Sequence, residues 1–447
     1  MFPKPSYVQK TPRTQSESLS FKILNQQKMM LLAAPGTYAM GPVMTRSLQK
    51  LENLIENELN DVGCHKITLP CLASGDLWKS SGRWSEMGDE LLRFKDRQGI
   101  DHCLAPTHEE AITSYVKEFL IDRHDLPLKL FQIGRKFRDE MRPKHGLMRC
   151  REFVMKDLYG FDADEQSALL TYDVITKAYE RIFARLELEV VRVAANSGAM
   201  GGSLSHEFHL LSSIGEDVVM TCKSCGAHFN AELIADDNRP QCSAGGSCEF
   251  ENLEAIEIAH SFVLGKRYSQ AFNACYKSDE GKTPYFMSCY GIGVTRLLQA
   301  ALEVLSSEES LRWPRVIAPY QVFVVPQLRK REETVAMQRA NSLCSTVHNM
   351  FSHLRHDIVL DDRAHLSIGA RVRQASQLGI PHIVVVTHRE GKEKLEYIDV
   401  YKNNTTVVSE HELMGLLANI STTHDFRPIE DKSTKKSSAC CQKVEVL

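Results

Sequence analysis

The 447-residue chain has no apolar run near the roughly 20 residues that a membrane-spanning helix needs; stretches such as Ile383–Val386 stop far short. No membrane partner is therefore expected. It also lacks a surplus of either charge. With 54 basic and 57 acidic residues the net charge is −3, so no global positive field attracts nucleic acid and any RNA contact must be local. An internal repeat is missing too. So is a compact cysteine framework: the 13 cysteines are scattered and follow no secretory signal, which fits reduced thiols inside a cell rather than a disulfide-stapled secreted fold. Acidic residues are absent before Glu17, whereas Lys4, Lys10 and Arg13 are present. That composition suits an organelle transit segment, although Pro3, Pro5 and Pro12 spoil a helix there and a frayed terminus fits as well. Residues 1–18 are read as one or the other.

What is present is a sequence with 43% hydrophobic and 25% charged residues, long enough for two or three domains. Near Trp313–Pro319 two prolines bracket a connector. Beyond it the apolar runs Tyr320–Val325, Ile358–Leu360 and Ile383–Val386 alternate with helical patterns around Met337–Met350 and Ile368–Leu378, which predicts a small α/β domain over 317–420. Residues 421–447, rich in Ser, Thr and Lys, read as a disordered tail. Over 19–316 long strands alternate with polar turns. Leu48, Leu51, Ile55, Leu59 and Val62 fall at helical spacing, Gly63 stops the helix, and a strand Lys66–Leu69 follows. That apolar stripe fits an internal core or a subunit interface.

Leu130–Arg138 and Arg149–Phe161 are strand-like and flank the polar segment Met141–Gly146, which predicts an antiparallel hairpin with a long loop. Period two puts Arg149, Arg151, Phe153, Met155, Asp157 and Tyr159 on one face, and Arg138 and Glu140 share a face with Lys136 and Gln132. A solvated charged face would carry such residues. A flat, phosphate-bearing ligand would use the rings as well, stacking on Phe153 while guanidiniums grip phosphate oxygens. Further on, a strand Met287–Tyr290 enters Gly291-Ile-Gly293-Val-Thr-Arg296 and a helical run Leu297–Leu305. Glycines there permit close ligand approach or only a packing turn. Upstream, Pro106-Thr107-His108-Glu109-Glu110 opens a predicted helix Ala111–Leu120. Thr107 with Glu110 has the spacing of a capping box, and Glu109 near a hydroxyl could receive an ammonium group.

Together these segments resemble the class II aminoacyl-tRNA synthetases, specifically prolyl-tRNA synthetases of the bacterial and mitochondrial type, from about Leu19 to Ile420. The hairpin Phe137–Phe153 is similar to motif 2, Cys289–Arg296 to motif 3 and Leu51–Pro70 to motif 1, whose helix and strand build a homodimer interface in that family. Pro106–Glu110, Gly201–Phe208 and Asp361-Asp-Arg363 resemble further prolyl-type signatures. The resemblance implies an α+β fold: an antiparallel sheet with flanking helices as catalytic domain, then an α/β anticodon-binding domain. It also implies that L-proline condenses with ATP to prolyl-adenylate, with magnesium bridging phosphate oxygens, before transfer to proline tRNA. Arg138 would hold the α-phosphate and the proline carboxylate, Glu140 and Arg149 the nucleotide, Phe153 the adenine and Arg296 the γ-phosphate, with Arg138 and Arg296 as the catalytic pair. Thr107 and Glu109 would take the secondary ammonium. Met155, Asp157, Tyr159 and His260 would surround the pyrrolidine ring, and Arg142, Lys144 and His145 would meet the tRNA acceptor end unless they form an ordinary exposed basic loop.

Only about 50 residues separate Phe208 from His260, too few for the large editing insertion of many bacterial-type relatives, so hydrolysis of mischarged alanyl-tRNA in cis is not expected. The short insert, about 209–256, carries Cys222-Lys-Ser-Cys225 with Cys242 and Cys248. That spacing approaches a four-cysteine structural zinc site, the other reading being reduced cysteines in a connecting loop. A threonyl-tRNA synthetase would need a zinc-binding cysteine where Ala105 stands. A non-catalytic, synthetase-like RNA-binding or accessory subunit would usually lose the phosphate-binding arginines, and Arg138 and Arg296 remain. The compartment implied is the mitochondrial matrix, or the cytoplasm if the source is bacterial.

Overall fold

The computed structural model describes residues 18–119, 121–196, 198–233, 249–279, 281–308, 310–328, 335–389 and 392–422. Of the terminal expectations, residues 1–17 and 423–447 lie outside these.

A nine-stranded, almost wholly antiparallel sheet organises the first domain. Its strands are β1 (His65–Lys66), β2 (Leu128–Phe137), β3 (Glu152–Asp162), β4 (Val190–Ala194), β5 (Leu204–Leu211), β6 (Asp217–Cys222), β7 (His228–Asn230), β8 (Phe250–Gly265) and β9 (Phe286–Gly293). They run in the order β7-β6-β8-β9-β3-β2-β1, and β5 pairs with both β8 and β4. Only β1 runs parallel to its neighbour, β2. The sheet is flanked by α1 (Leu19–Gln26), α2 (Pro42–Asn60), α3 (Glu109–Lys117), α4 (Glu165–Arg185) and α5 (Val294–Leu305). No helix among the described residues is long and apolar enough to cross a membrane.

Leu48, Leu51, Ile55 and Leu59 of α2 are buried in this chain's own core, alongside Tyr179, Ile182 and Phe183 of α4. Internal packing thus accounts for the stripe at helical spacing. Gly63 follows α2 with φ +71, a left-handed turn that suits glycine. The short insert is not a plain connecting loop: β6 and β7 pair, and β6 adds along β8 from Asp217–Ala255 to Cys222–Phe250. Backbone hydrogen bonding therefore ties the insert into the nine-stranded sheet.

The second domain has β10 (Val322–Pro326), α6 (Val335–Met350), β11 (Ile358–Leu360), α7 (Ile368–Gln377), β12 (His382–Arg389), β13 (Lys392–Asp399), β14 (Asn404–Val408) and α8 (Glu410–Ala418). Strands β11, β10 and β12 are parallel, as strand–helix alternation predicts, while β13 and β14 extend the sheet antiparallel. The two domains are bolted by α2. Ser47 Oγ donates to Ile317 O at 2.7 Å and Lys50 Nζ to Ala318 O at 2.7 Å. Arg46 and Lys50 also pair with the buried Asp357, each at 2.6 Å. The connector is itself core: Trp313 and Ile317 are fully buried.

Candidate active site

The β2–β3 hairpin forms as alternation predicts, but its ladder is shorter at the loop end, closing at Phe137 opposite Glu152. Register sets Lys136 against Phe153, Gly134 against Met155 and Gln132 against Asp157. Their shared face floors a cleft of about 400 Å³. Thr107, Glu109, Arg138, Glu140, Phe153, Met155, Asp157, Tyr159, His260 and Arg296 all line it, as do Gly291 and Gly293. The other four expected residues do not. Arg149 lies before β3 and pairs with Glu140 at 2.7 Å and Glu216 at 2.6 Å. Arg142 and Lys144 are exposed on the loop, Lys144 reaching Glu216 at 2.5 Å, and His145 is half-buried at the loop base.

The cleft is electrically polarised. At one end the Arg138 guanidinium lies 5.4 Å from the centroid of the Phe153 ring. Burial and the neighbouring charge of Arg296 hold its pKa below the usual arginine range, so this pair of cations is poised for an anion. Arg296 is fixed by its Nε, which donates to Met148 O at 2.8 Å, and by Nη1, which donates to Glu257 O at 3.1 Å. Burial would raise the Glu257 carboxyl. The hydrogen bond from His260 and the Arg296 charge prevail and hold it at about 2.

At the other end, Glu109 is buried and accepts from Thr107 Oγ1 at 2.8 and 2.6 Å. This corrects the expected capping box. Helix α3 begins at Glu109 and ends at Lys117, not Ala111 to Leu120, and His108 occupies its N-cap without a side-chain capping bond. The Thr107 hydroxyl serves the carboxylate instead. Arg83, from the short helix Arg83–Glu86, inserts beneath and meets Glu109 at 2.9 Å and Glu110 at 3.1 Å. Two carboxylates share one guanidinium, a balance that leaves room for one more positive charge. Burial raises the Glu110 carboxyl, against the pull of Arg83.

Asp157 is held on several sides: Lys136 Nζ at 2.7 Å, Gln132 Nε2 at 3.0 Å and Tyr159 OH at 2.8 Å. The Tyr159 hydroxyl in turn accepts the His108 N–H at 2.9 Å. Asp157 is thus a brace that aims Tyr159. His260 has Nε2 at 2.6 Å from Ser205 Oγ and Nδ1 at 3.1 Å from Glu257, and its ring stacks on Phe262 at 3.8 Å. With both nitrogens occupied it presents a ring wall to the cleft. Sequence reasoning missed Arg83, Lys136 as the Asp157 partner, and the acids Glu207 and Glu257. Glu207 stood inside the quoted Gly201–Phe208 stretch; nothing near Arg83 marked it.

Residues 92–305 match the family model described as tRNA synthetase class II core domain (G, H, P, S and T), and residues 321–420 match an anticodon binding domain. A rat protein named probable mitochondrial proline--tRNA ligase is 40% identical over 408 residues, covering 90% of this chain and 85% of the relative. An Anaplasma phagocytophilum proline--tRNA ligase is 36% identical over 383 residues, covering 83% and 88%. Among solved structures, Giardia lamblia prolyl-tRNA synthetase in complex with prolyl-adenylate superposes with a TM-score of 0.72 at 20% identity, covering 88% of this chain and 73% of that one. Fold and cleft together define a class II aminoacyl-tRNA synthetase. Within that class, at these identities over most of its length, the chain belongs to the proline--tRNA ligases.

Proposed function

We propose that the polarised cleft binds proline and ATP across its two ends. The observation that carries this reading is the pairing of two arginines at one end with a buried, hydroxyl-held carboxylate at the other. Glu109 and Thr107 take the secondary ammonium, while Met155, Tyr159 and the His260 wall enclose the ring. Arg138 draws the proline carboxylate to the α-phosphorus, where a carboxylate oxygen attacks in line and pyrophosphate leaves. Charge neutralisation and positioning carry the step, without a side-chain nucleophile. Phe153 offers its face to adenine, Glu140 and Arg149 hold the nucleotide, and Arg296 the γ-phosphate. A terminal ribose hydroxyl of proline tRNA then attacks the prolyl carbonyl and AMP departs, with Arg142, Lys144 and His145 facing the acceptor end.

Magnesium would be held by the carboxylates Glu207 and Glu257, which each bring an oxygen within 4.8 Å of the other. It would supply charge neutralisation along the triphosphate. In the insert, Gly226 N–H donates to Cys222 O at 2.9 Å and Cys222 N–H to Ala227 O at 2.8 Å. This tight turn fits two ligands of a structural zinc; Cys242 and Cys248 lie outside the described residues. Elemental analysis of metal-free-buffer preparations is expected to find about one zinc per chain, and none would end that reading.

A homodimer through the α2–β1 region and work in the mitochondrial matrix complete the proposal. The compartment rests on the rat, mouse and human relatives being named mitochondrial; a tagged chain excluded from the matrix would overturn it, and sedimentation as a monomer would overturn the dimer. Pyrophosphate exchange with each amino acid in turn tests the core of the reading. Exchange is expected with proline and not with threonine, because buried Ala105 stands where zinc-dependent threonine recognition requires a thiolate. Exchange with threonine alone would sink it.

A further inference from the structure

The basic loop between β2 and β3 is anchored at its base by one buried side chain that no step above uses. Gln299, on α5, is fully buried. Its Nε2 donates to His145 O at 2.8 Å and to Ser20 Oγ at 3.3 Å, and its Oε1 accepts the Leu147 N–H at 2.6 Å. The amide thus grips the backbone on both sides of Gly146. Here the chain is left-handed at two successive residues, His145 (φ 54) and Gly146 (φ 65), and a Cβ added at Gly146 would lie 2.7 Å from Gln299 Oε1 and 2.6 Å from the Phe21 ring. Amide and glycine therefore fit each other. One turn along the same helix face, Arg296 holds a carbonyl three residues further on, Met148 O, at 2.8 Å. On the other side Glu303 receives Ser18 Oγ at 2.6 Å, Leu19 N–H at 3.0 Å and Ser20 N–H at 2.8 Å, fixing the start of α1 against α5.

We infer that Gln299 is a positioning residue for the tRNA-dependent half of the reaction: it sets the loop that presents Arg142 and Lys144 to the acceptor end. The inference rests on the tRNA role proposed for that loop. Its logic is a division of labour. The ATP end is held by groups with their own anchors, Arg296 through Met148 and Glu257, and Arg149 through Glu140 and Glu216. Loss of the Gln299 amide frees the His145–Leu147 backbone without touching those anchors. The buried Leu147 N–H also loses its partner and His145 O loses its shorter bond, keeping the 3.3 Å one from the Met148 N–H, so the loop samples other conformations.

Gln299→Met keeps the side-chain volume and removes both hydrogen-bonding functions. Two quantities are measured on the full-length protein: proline-dependent pyrophosphate exchange, and single-turnover transfer from preformed prolyl-adenylate to proline tRNA. Transfer is expected to slow by about tenfold or more while exchange stays within about twofold, the signature of an interaction used in one step only. Equal falls in both would mark a merely structural role and overturn the inference. Lys144→Ala with Arg142→Ala, measured alongside, separates the two ideas. If that variant slows transfer and Gln299→Met does not, the inference fails and the loop's role stands. If Gln299→Met slows transfer alone, the clamp stands and those two side chains lose their assignment; if neither does, both fail. Should Gln299→Met not fold, Gly146→Ala, which pushes the loop off the same amide, is read by the same outcomes.

Discussion

Arg138→Ala is expected to reduce proline-dependent pyrophosphate exchange by about a thousandfold, the upper end of what loss of one charge-stabilising donor costs. The size follows from its place. Arg138 lines the cleft beside Arg296 and over the Phe153 ring, and in the proposed reading the proline carboxylate and the α-phosphate, both negative, approach each other there. Thermal stability should not fall with activity. Burial and the Arg296 charge already work against the Arg138 cation in the empty cleft, so its removal relieves repulsion, and the N–H to Arg151 O bond at 2.9 Å belongs to the backbone and survives. Exchange and melting temperature are measured on the same preparation. Exchange within tenfold of the parent would remove Arg138 from the proposed role, and a melting temperature lowered in step with activity would make the loss structural.

That prediction was open to sequence reasoning because the hairpin announces itself. Alternation over Arg149–Tyr159 put rings and charges on one face, and the register of β2 and β3 keeps Phe153, Met155, Asp157 and Tyr159 there, while Arg149 and Arg151 precede β3. The glycines at 291 and 293 and the Thr107–Glu109 pair were legible from the residues themselves and His260 through resemblance, and all line the cleft. What could not be read was the use of each group. Thr107 and Glu110 have capping-box spacing, yet the helix starts one residue later than that box requires, and the Thr107 hydroxyl donates to the Glu109 carboxylate buried beside it. Asp157 reads as a ligand contact by its face, but Lys136 and Gln132 across the ladder claim it first, a consequence of register rather than composition.

The fold was missed where elements are short and polar. Strands β6 and β7 lie within a cysteine-bearing insert, and β8, which pairs with β6, is more than 25 residues further along the chain from the end of β6. Strands β13 and β14 are rich in Lys, Glu, Thr and Asn, so the antiparallel extension of the second domain lacks the apolar runs that disclosed β10 and β12. They are joined at Asn403, whose positive φ of 50 is the kind of turn that asparagine tolerates. An Asn-Asn pair between two such segments was the available signal.

Arg83 is the residue that sequence could least supply, and replacing it should have the second large effect. It lies 26 and 27 positions before its partners, in a four-residue helix with no motif around it, and only folding brings it beneath Glu109 and Glu110. Arg83→Met removes the guanidinium that lies 4.8 Å from the Trp78 ring centroid and leaves two buried carboxylates facing each other, a loss of about 3–5 kcal/mol by the usual cost of breaking a buried ion pair. Misplacement of Glu109 should also raise the KM for proline more than that for ATP. The pH dependence carries the sign. Without Arg83, the Glu110 carboxyl, already raised by burial and by Glu109, is raised further above its unfolded value. The folded variant then binds a proton that the unfolded chain does not, and its stability climbs as pH falls through that raised pKa, until the unfolded chain is protonated as well. Denaturant melts between pH 8 and pH 5 should therefore show the variant gaining on the parent as pH drops. Arg83→Met combined with Glu110→Gln should recover much of the lost stability at neutral pH, since one carboxylate no longer confronts another. A deficit that is the same at every pH and untouched by Glu110→Gln would mean that Arg83 matters for packing alone, and that the charge balance drawn here around Glu109 is wrong.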